Sequence, residues 1–365
     1  MKLSVIILNY NVRYFLELCI KSVIAATENI NSEIIVVDNH SEDESCEMVK
    51  TLFPQVKLIE NKVNVGFSKG NNIGVSHAIG EYICILNPDT VVAEDTFEVI
   101  LKFAEDKPSL GAVGCQLING VGEFLPESKR NIPFFKVAFK KLFGNDSNYY
   151  ANHLNKNNIG EVDILVGAFM LLKKKAFKEV GGFDEDYFMY GEDIDLSYKL
   201  LKAGYQNYYF GKSKIIHFKG ESTLRDKNYA QRFYGAMQIF YQKHFKRNIV
   251  FDLLVWLGIR IIPFIKNHQT PNLKHVSNYI LISDKINDSL RNSLSKALIL
   301  KDKMDNFPER TEVILDANFV TYKSIIELID KHSNTSSWTY KILAKNSRFV
   351  IGSDNSSSRG EIIKF

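Results

Sequence analysis

Apolar and polar positions follow two alternating periods through the first hundred residues. Short apolar runs such as SVIIL, EIIVV, VKLIE and EYICIL are typical of buried strands. Between them, VRYFLELCIKSVIAAT, EDESCEMVKTLF and SKGNNIGVSHAIG carry apolar residues at helical spacing. Strands that alternate with helices predict parallel βαβ units, and therefore an α/β fold built on a doubly wound sheet flanked by helices.

Three further stretches with predicted structure follow in the rest of the chain. Strand and helix patterns continue through DILVGAFMLLKKKAF and GEDIDLSYKLLKAGY, and a long helix is predicted from Asn228 to Phe245. The polar segment NDSNYYANHLNKNNIG is predicted to be a mobile loop. Beyond Pro271, NYILISD, EVILDAN and RFVIGSD are predicted strands, while SLRNSLSKALILK and SIIELIDKH are predicted helices. The predicted units are a main domain over 1–245, an apolar helical segment over 246–271 and a small α/β module over 272–365.

Composition narrows the class of protein only slightly. The 365 residues are 45% hydrophobic and carry a formal net charge of +4, which is too small to indicate nucleic acid as the main partner. Four cysteines without a C-x-x-C pair are typical of reduced thiols, and we expect a cytoplasmic protein. IVFDLLVWLGIRIIPFI and IPFFKVAFKKLF mix apolar and basic residues, so each either packs on the protein or lies at the inner face of the cell membrane.

Polar residues follow three of the predicted strands. They are Asn9, Asp38 with Asn39, and Asn87 with Asp89, where a proline between the last two stops the strand. The carboxyl ends of parallel strands share one edge of a sheet, and ligands of open α/β sheets bind there. Each residue alone could belong to a turn or a helix cap. Together they predict a ligand with hydrogen-bonding groups.

Two further groups could carry chemistry. Glu192, Asp193 and Asp195 are crowded into four positions after the aromatic Tyr190. Clustered carboxylates favour a shared cation or proton, although acidic residues are also favoured at a helix amino terminus. His217 ends an apolar strand in KIIHFKGES, and it is either structural or a ligand.

Five segments of the sequence resemble the inverting glycosyltransferases of family 2, which have the GT-A fold with a mixed sheet. They cover residues 3 to about 222 in the family's order: SVIILNYN, IIVVDNHSEDES, NVGFSKGNNIGVSHAIGEYICILNPDT, VGAFMLLKKKAFKEVGGFDEDYFMYGEDIDLSYKLLKAGY and IIHFKGES. NPDT resembles the rhamnosyltransferase-like branch. It departs from the usual D-x-D, since Asn87 stands where the first aspartate would be.

The resemblance implies a role for each candidate residue. Asp89 and His217 would hold a divalent metal, Mn or Mg, that neutralises the leaving diphosphate. Asp193 matches the general base that takes the proton of the acceptor hydroxyl, and Glu192 is the next catalytic candidate. Tyr190 and Asp195 are expected on the acceptor side. The residues expected to contact the donor nucleotide are Asn9, Asp38, Asn39, Asn64, Gly66, Asn71, Asn87 and Asp89.

The predicted function is therefore metal-dependent transfer of a sugar, rhamnose by the branch resemblance, from a nucleoside-diphosphate donor. The expected acceptor is a glycan or a lipid-linked glycan in the synthesis of cell-surface polysaccharide. Two alternatives stay open at this point. A sugar nucleotidyltransferase would need a glycine-rich basic loop where NYNVRYF stands, and a non-catalytic nucleotide- or glycan-binding protein could keep the same fold.

Overall fold

Two β-sheets, each accompanied by helices, organise the chain in a computed structural model. The described residues are 1–134, 137, 145–219, 227–245, 276–333, 338–355 and 359–365. The predicted apolar segment over 246–271, the predicted boundary at Pro271 and most of IPFFKVAFKKLF lie outside them. None of the helices in the described residues combines the length and the apolar character needed to cross a lipid bilayer.

The larger sheet has nine strands in the order β3-β2-β1-β4-β8-β6-β9-β5, with β7 paired to β9. The strands are β1 (Leu3–Asn9), β2 (Ser32–Asp38), β3 (Lys57–Glu60), β4 (Tyr82–Leu86), β5 (Thr90–Val92), β6 (Leu110–Ile118), β7 (Ile159–Glu161), β8 (Phe169–Lys173) and β9 (Gln206–His217). The pairs from β3 through β4 are parallel, as is β6 with β9, whereas β8, β5 and β7 pair in the antiparallel sense. The sheet is therefore mixed.

Helices cover both faces of this sheet. They are α1 (Arg13–Thr27), α2 (Ser45–Leu52), α3 (Phe67–His77), α4 (Thr96–Glu105), α5 (Lys174–Glu179), α6 (Glu192–Lys202) and α7 (Lys227–His244), with a 3₁₀ turn at Pro126–Ser128. In β1, Val5 and Ile7 pack into one apolar cluster while Ile6 and Leu8 pack into another. Because both faces are buried, the strand is a continuous apolar run rather than an alternating one.

The smaller sheet has the strand order β11-β10-β12-β13-β14-β15. Its strands are β10 (Asn278–Ile282), β11 (Leu298–Lys301), β12 (Thr311–Asp316), β13 (Thr339–Leu343), β14 (Phe349–Gly352) and β15 (Glu361–Lys364), with helices α8 (Asp288–Ser293) and α9 (Tyr322–Lys331). The first four strands in this order are parallel and the last two pair in the antiparallel sense. The predicted fold class, a mixed helix-flanked α/β sheet with a second α/β unit, is confirmed.

Two local predictions need correction. The helix predicted over SLRNSLSKALILK is wrong in its second half, because α8 ends at Ser293 and the apolar LIL run pairs with β10 as the edge strand β11. In the predicted loop NDSNYYANHLNKNNIG, Tyr149 and Ala151 are buried, and the Lys129 ammonium donates to the Ala151 carbonyl at 2.8 Å.

Hydrogen bonds, an ion pair and a shared apolar cluster join the two sheets. Glu94, just after β5, accepts from the backbone N–H groups of Tyr322 and Lys323 at 2.7 and 2.8 Å, so it caps α9. Lys214 of β9 pairs with Asp330 of α9 at 2.5 Å. The small module therefore packs directly on strands β5 and β9. The shared cluster includes Val12, Phe15, Leu18, Val91, Ile216 and Phe218 from the large unit and Ile280, Val313, Leu315, Ile325 and Tyr340 from the small one.

Candidate functional site

The ends of β1 and β2 form a buried polar pair. Their register places Asn9 beside Asp38, and the Asn9 amide donates to Asp38 Oδ1 at 2.8 Å and to the Ser41 hydroxyl at 3.0 Å. Ser41 donates its hydroxyl to Asp38 Oδ1 at 2.6 Å and its N–H to Asp38 Oδ2 at 2.8 Å. A carboxylate has about four acceptor positions. Asn9 and Ser41 fill three of them, and the Cys46 thiol lies beside the same carboxylate.

The loop before α3 joins this edge to the segment before α6. The Asn39 amide donates to the Gly66 carbonyl at 3.0 Å, and the Asn61 amide donates to Asn39 Oδ1 at 2.9 Å. Asn64 Oδ1 accepts from the Gly66 N–H at 3.0 Å. Gly66 has a φ of +83°, and a Cβ there would lie 2.5 Å from the Phe188 carbonyl oxygen. Only glycine allows the loop to approach Phe188 this closely.

Asn71 lies within α3 rather than at a strand end. Its amide donates to the carbonyl of Phe67 at 3.0 Å, one turn earlier in the same helix. Its side-chain oxygen is buried and has no hydrogen-bond partner among the described residues. The side chain is therefore held by its own helix, with one acceptor remaining.

Asp89 and His217 are brought together by the antiparallel pairing of β5 with β9. Thr90 is in register with His217, and the Phe218 N–H donates to the Asp89 carbonyl at 3.0 Å. Asp89 Oδ1 lies 3.4 Å from His217 Nε2, and the Asn87 amide nitrogen lies 3.3 Å from the same Nε2. The single lone pair of a neutral Nε2 can either accept from the Asn87 amide or bind a metal, so a bound ion would replace this contact.

These side chains fit a divalent cation. Asp89 Oδ1 is buried and has no hydrogen-bond partner in the described part of the chain, which is costly for a carboxylate oxygen unless a cation faces it. Two ligands of one ion at bond lengths of about 2.1 Å lie roughly 3 Å apart, close to the observed separation. Across the described ranges, no group of three or more His, Cys, Asp and Glu side chains forms a metal site. Donor phosphates and water would therefore complete the coordination, as is common for Mg²⁺.

Asp193 is buried at the start of α6 and is held on both carboxylate oxygens. Oδ2 accepts from the Arg130 guanidinium at 2.6 Å and from the Gly167 N–H at 3.1 Å, whereas Oδ1 accepts from the Ile194 N–H at 2.8 Å. Oδ2 is thereby saturated, and one acceptor position remains on Oδ1. Oδ1 is therefore the oxygen of Asp193 that can accept a further hydrogen bond.

Glu192 differs from its neighbour. It is buried, and its Oε2 has no hydrogen-bond partner within the described residues. Burial, followed by the negative charge of Asp193, raises the pKa of Glu192 to about 8. Near neutral pH, Glu192 therefore holds a proton beside a carboxylate that is paired with Arg130.

Asp195 is engaged by helix packing. Its fully buried carboxylate pairs with His244 Nε2 of α7 at 2.6 Å and with Lys199 of α6 at 3.0 Å. These contacts favour a role in fastening α6 to α7 over a role in binding the acceptor. Tyr190 has a φ of +70° and its ring lies 6.2 Å from that of Phe233, at the turn that introduces α6.

Backbone contacts connect the two halves of the site. The Asn87 N–H donates to the Ala168 carbonyl at 3.0 Å, and the adjacent Gly167 N–H donates to Asp193. The Asp89–His217 pair is therefore linked to Asp193 through Gly167 and Ala168.

Sequence reasoning missed two residues of this arrangement, Ser41 and Arg130. Ser41 falls within the motif IIVVDNHSEDES, where a serine after an aspartate could have indicated a bond to it. Arg130 lies in ESKRNIPFF, which carries no periodic signal. Its pairing with Asp193 depends on contacts between distant segments.

Family comparison agrees with the geometry. Residues 4–181 match the model of glycosyl transferase family 2, and residues 155–222 match a model described as the N-terminal domain of galactosyltransferase. Residues 4–181, just under half of the chain, are therefore a domain of glycosyl transferase family 2, and the protein is a glycosyltransferase. The predicted family and enzyme class are confirmed, and the comparisons do not support the nucleotidyltransferase and non-catalytic alternatives.

Relatives of known activity cover most of the larger unit. The N-acetylglucosaminyl-diphospho-decaprenol L-rhamnosyltransferase of Mycobacterium tuberculosis is 27% identical over 241 residues, covering 61% of this chain and 78% of that protein. Rhamnosyltransferase WbbL of Escherichia coli is 32% identical over 163 residues, covering 42% of this chain and 61% of that protein. A solved mannosyltransferase from Pyrobaculum calidifontis, in complex with GDP-Man and Mn²⁺, superposes with a TM-score of 0.48 at 18% identity over 71% of this chain and 69% of that one.

Proposed function

We propose that this glycosyltransferase moves a sugar from a nucleoside-diphosphate donor to a glycan or lipid-linked acceptor during the synthesis of cell-surface polysaccharide. Rhamnose is the proposed sugar, because two relatives are rhamnosyltransferases and one of them is named for a decaprenol-linked substrate. The observation that carries the proposal is the Asp89–His217 pair, which the Asn87–Ala168 and Gly167–Asp193 backbone hydrogen bonds connect to Asp193.

The donor would lie along the carboxyl ends of β1, β2 and β4. Asp38 would accept from an N–H or O–H group of the nucleoside through Oδ2, and the bonds from Asn9 and Ser41 fix the orientation of its carboxylate. Asp89 and His217 would hold a divalent ion, which when bound supplies the positive charge that stabilises the departing diphosphate. The buried Asp89 Oδ1, which accepts no hydrogen bond from the described residues, supports this assignment.

On the acceptor side, Asp193 would act as the general base. Its bonds from Arg130 and Gly167 occupy Oδ2, which leaves an acceptor position on Oδ1. The acceptor hydroxyl transfers its proton to Asp193 Oδ1 while its oxygen bonds to the anomeric carbon. The bond from that carbon to the diphosphate oxygen breaks on the opposite face, so the configuration inverts. No covalent intermediate on the chain is required.

Glu192 would have a different task in this scheme. Since its pKa is raised to about 8, it carries a proton at neutral pH and can donate a hydrogen bond to a sugar oxygen. Environments that separate two neighbouring carboxyl groups in this way are typical of acid–base sites.

A ligand screen followed by a transfer assay tests the function. Thermal shifts with thymidine, uridine and guanosine diphosphates, each with and without Mn²⁺, identify the base and the metal dependence. Transfer is then measured with the matching sugar donor on a polyprenyl-diphosphate-linked N-acetylglucosamine. Metal-dependent stabilisation by one diphosphate and transfer of its sugar support the proposal. Metal-independent binding, or hydrolysis without transfer to any glycan acceptor, overturns it.

Contact with the inner face of the cell membrane is part of this proposal, since a lipid-linked acceptor lies there. The support is the aromatic and basic character of IPFFKVAFKKLF and IVFDLLVWLGIRIIPFI. Phe134, the last described residue before the gap in the first segment, is 50% exposed. Co-sedimentation with vesicles containing anionic lipid, weakened by high salt, is expected. Equal recovery in the supernatant with and without vesicles contradicts it.

A further inference from the structure

Arg130 occupies a buried position that the donor and acceptor roles described above do not use. It is 7% exposed and lies just after the 3₁₀ turn at Pro126–Ser128. Its backbone N–H and carbonyl both bond to Ile164, at 3.0 Å each. The backbone of Arg130 is therefore fixed against the segment that leads to Gly167.

The side chain joins that segment to the proposed base. One terminal nitrogen, Nη2, donates both to Asp193 Oδ2 and to the Leu165 carbonyl, at 2.6 Å each. The Gly167 N–H bonds to the same carboxylate oxygen. Arg130 and the Gly167 N–H thus both bond to Oδ2 of Asp193, and neither bonds to Oδ1.

A buried ion pair of this kind is weak evidence for stability, because desolvation offsets much of the attraction between the charges. Asp195, two residues further along α6, is also a buried carboxylate, and it pairs with Lys199 and His244 of the helices themselves. Asp193 instead receives its cation from Arg130, which lies outside the helices and also donates to the Leu165 carbonyl. This difference indicates that its partner serves orientation and charge at the site.

We propose that Arg130 is a positioning residue for the general base: it occupies Asp193 Oδ2, so that Oδ1 faces the acceptor hydroxyl as an ionised carboxylate. The inference rests on the proposed role of Asp193. The charged and titratable groups beside Asp193 are Arg130 and Glu192, and Tyr149 lies beside the guanidinium.

The test uses Arg130→Met and Arg130→Lys in the full chain, with Lys129→Met as the matched control. Lys129 is buried next to Arg130, but it donates to the Ala151 carbonyl rather than to Asp193. Misplacement of a reacting group can cost roughly a hundredfold in rate, so Arg130→Met is expected to lower kcat by about that factor. Arg130→Lys keeps the positive charge on a shorter side chain, so its loss of kcat should be smaller.

Two readouts separate positioning from a structural role. In Arg130→Met, the acid limb of log kcat against pH should move to higher pH, because the carboxylate has lost the cation that favours its ionised form. The limb should move less in Arg130→Lys and not at all in Lys129→Met. In a double-mutant cycle, Arg130→Met should cost little further kcat once Asp193→Asn is present. Donor affinity by calorimetry should match the wild type in every folded variant.

These measurements distinguish failure of the Arg130 proposal from failure of the proposed function. If Asp193→Asn keeps wild-type kcat, the assignment of the base fails. If Asp193→Asn is inactive while both folded Arg130 variants keep the wild-type acid limb, the positioning role of Arg130 is wrong. If Arg130→Met does not fold, the acid limb of Arg130→Lys decides: a shift supports the proposal and an unchanged limb overturns it.

Discussion

Oδ1 of Asp89 lies 3.4 Å from Nε2 of His217, although a long stretch of chain separates the two residues. The pairing of β5 with β9 creates this relationship, and the small module packs against those same two strands. Two parts of the chain therefore form the proposed metal site, the segment after β4 and the end of β9. The small module packs against the strands that carry them.

Asp89→Ala should abolish both transfer and the Mn²⁺-dependent part of nucleotide binding, because it removes the buried oxygen that faces the proposed cation. His217→Ala should weaken metal binding less, since the carboxylate remains. Calorimetric titration of the nucleoside diphosphate at several Mn²⁺ concentrations measures both effects. Asp95→Ala is a suitable control, as that carboxylate pairs at the surface with Lys323. Unchanged metal-dependent affinity in Asp89→Ala would refute the site.

Glu192 should make stability fall as pH rises. Its pKa is raised from an ordinary value of 4.5 to about 8, so between these values the folded chain holds a proton that the unfolded chain has released. The free energy of unfolding therefore decreases through this window and levels off above it. Relative to Glu192→Gln, the wild type should lose on the order of a few kcal/mol between pH 5 and pH 8.5. Urea denaturation at both pH values measures the difference, and a constant difference would contradict the raised pKa.

Gly120→Ala should weaken the packing between the two units. A Cβ at this position would clash with the Ser353 carbonyl oxygen and touch the ring of Phe218, which follows His217 directly. Overpacking of this kind typically costs about 1–3 kcal/mol. Gly235→Ala is the control, since its Cβ meets nothing within 4 Å on α7 and alanine favours a helix. Thermal melting should show a lower Tm for Gly120→Ala alone, and equal behaviour of the two variants would argue against a tight interface.

Local patterns were sufficient to predict much of the larger unit. Strands β1, β2 and β4 are continuous apolar runs because both sheet faces are buried, and their polar exits were recognisable as candidate ligand contacts. The edge strand β11 was mistaken for helix, since LIL is too short to distinguish the two periods.

Contacts between distant segments were beyond such reasoning. The ion pair of Arg130 with Asp193 and the partnership of Asp195 with His244 join residues whose local sequences carry no sign of each other. The same limit explains why the packing of the small module behind β5 and β9 could not be foreseen.

The central claim is that Asp193 takes the proton of the acceptor hydroxyl. The most direct measurement is the initial rate of sugar transfer by Asp193→Asn, alongside calorimetric titration of the donor. Asp195→Asn serves as a comparator, because it removes a buried carboxylate from the same helix that pairs with Lys199 and His244. General-base catalysis contributes roughly a hundred- to ten-thousandfold. We expect Asp193→Asn to lose transfer by that factor with donor affinity unchanged, whereas Asp195→Asn loses stability and keeps most of its kcat. Near wild-type turnover by a folded Asp193→Asn variant would contradict the account.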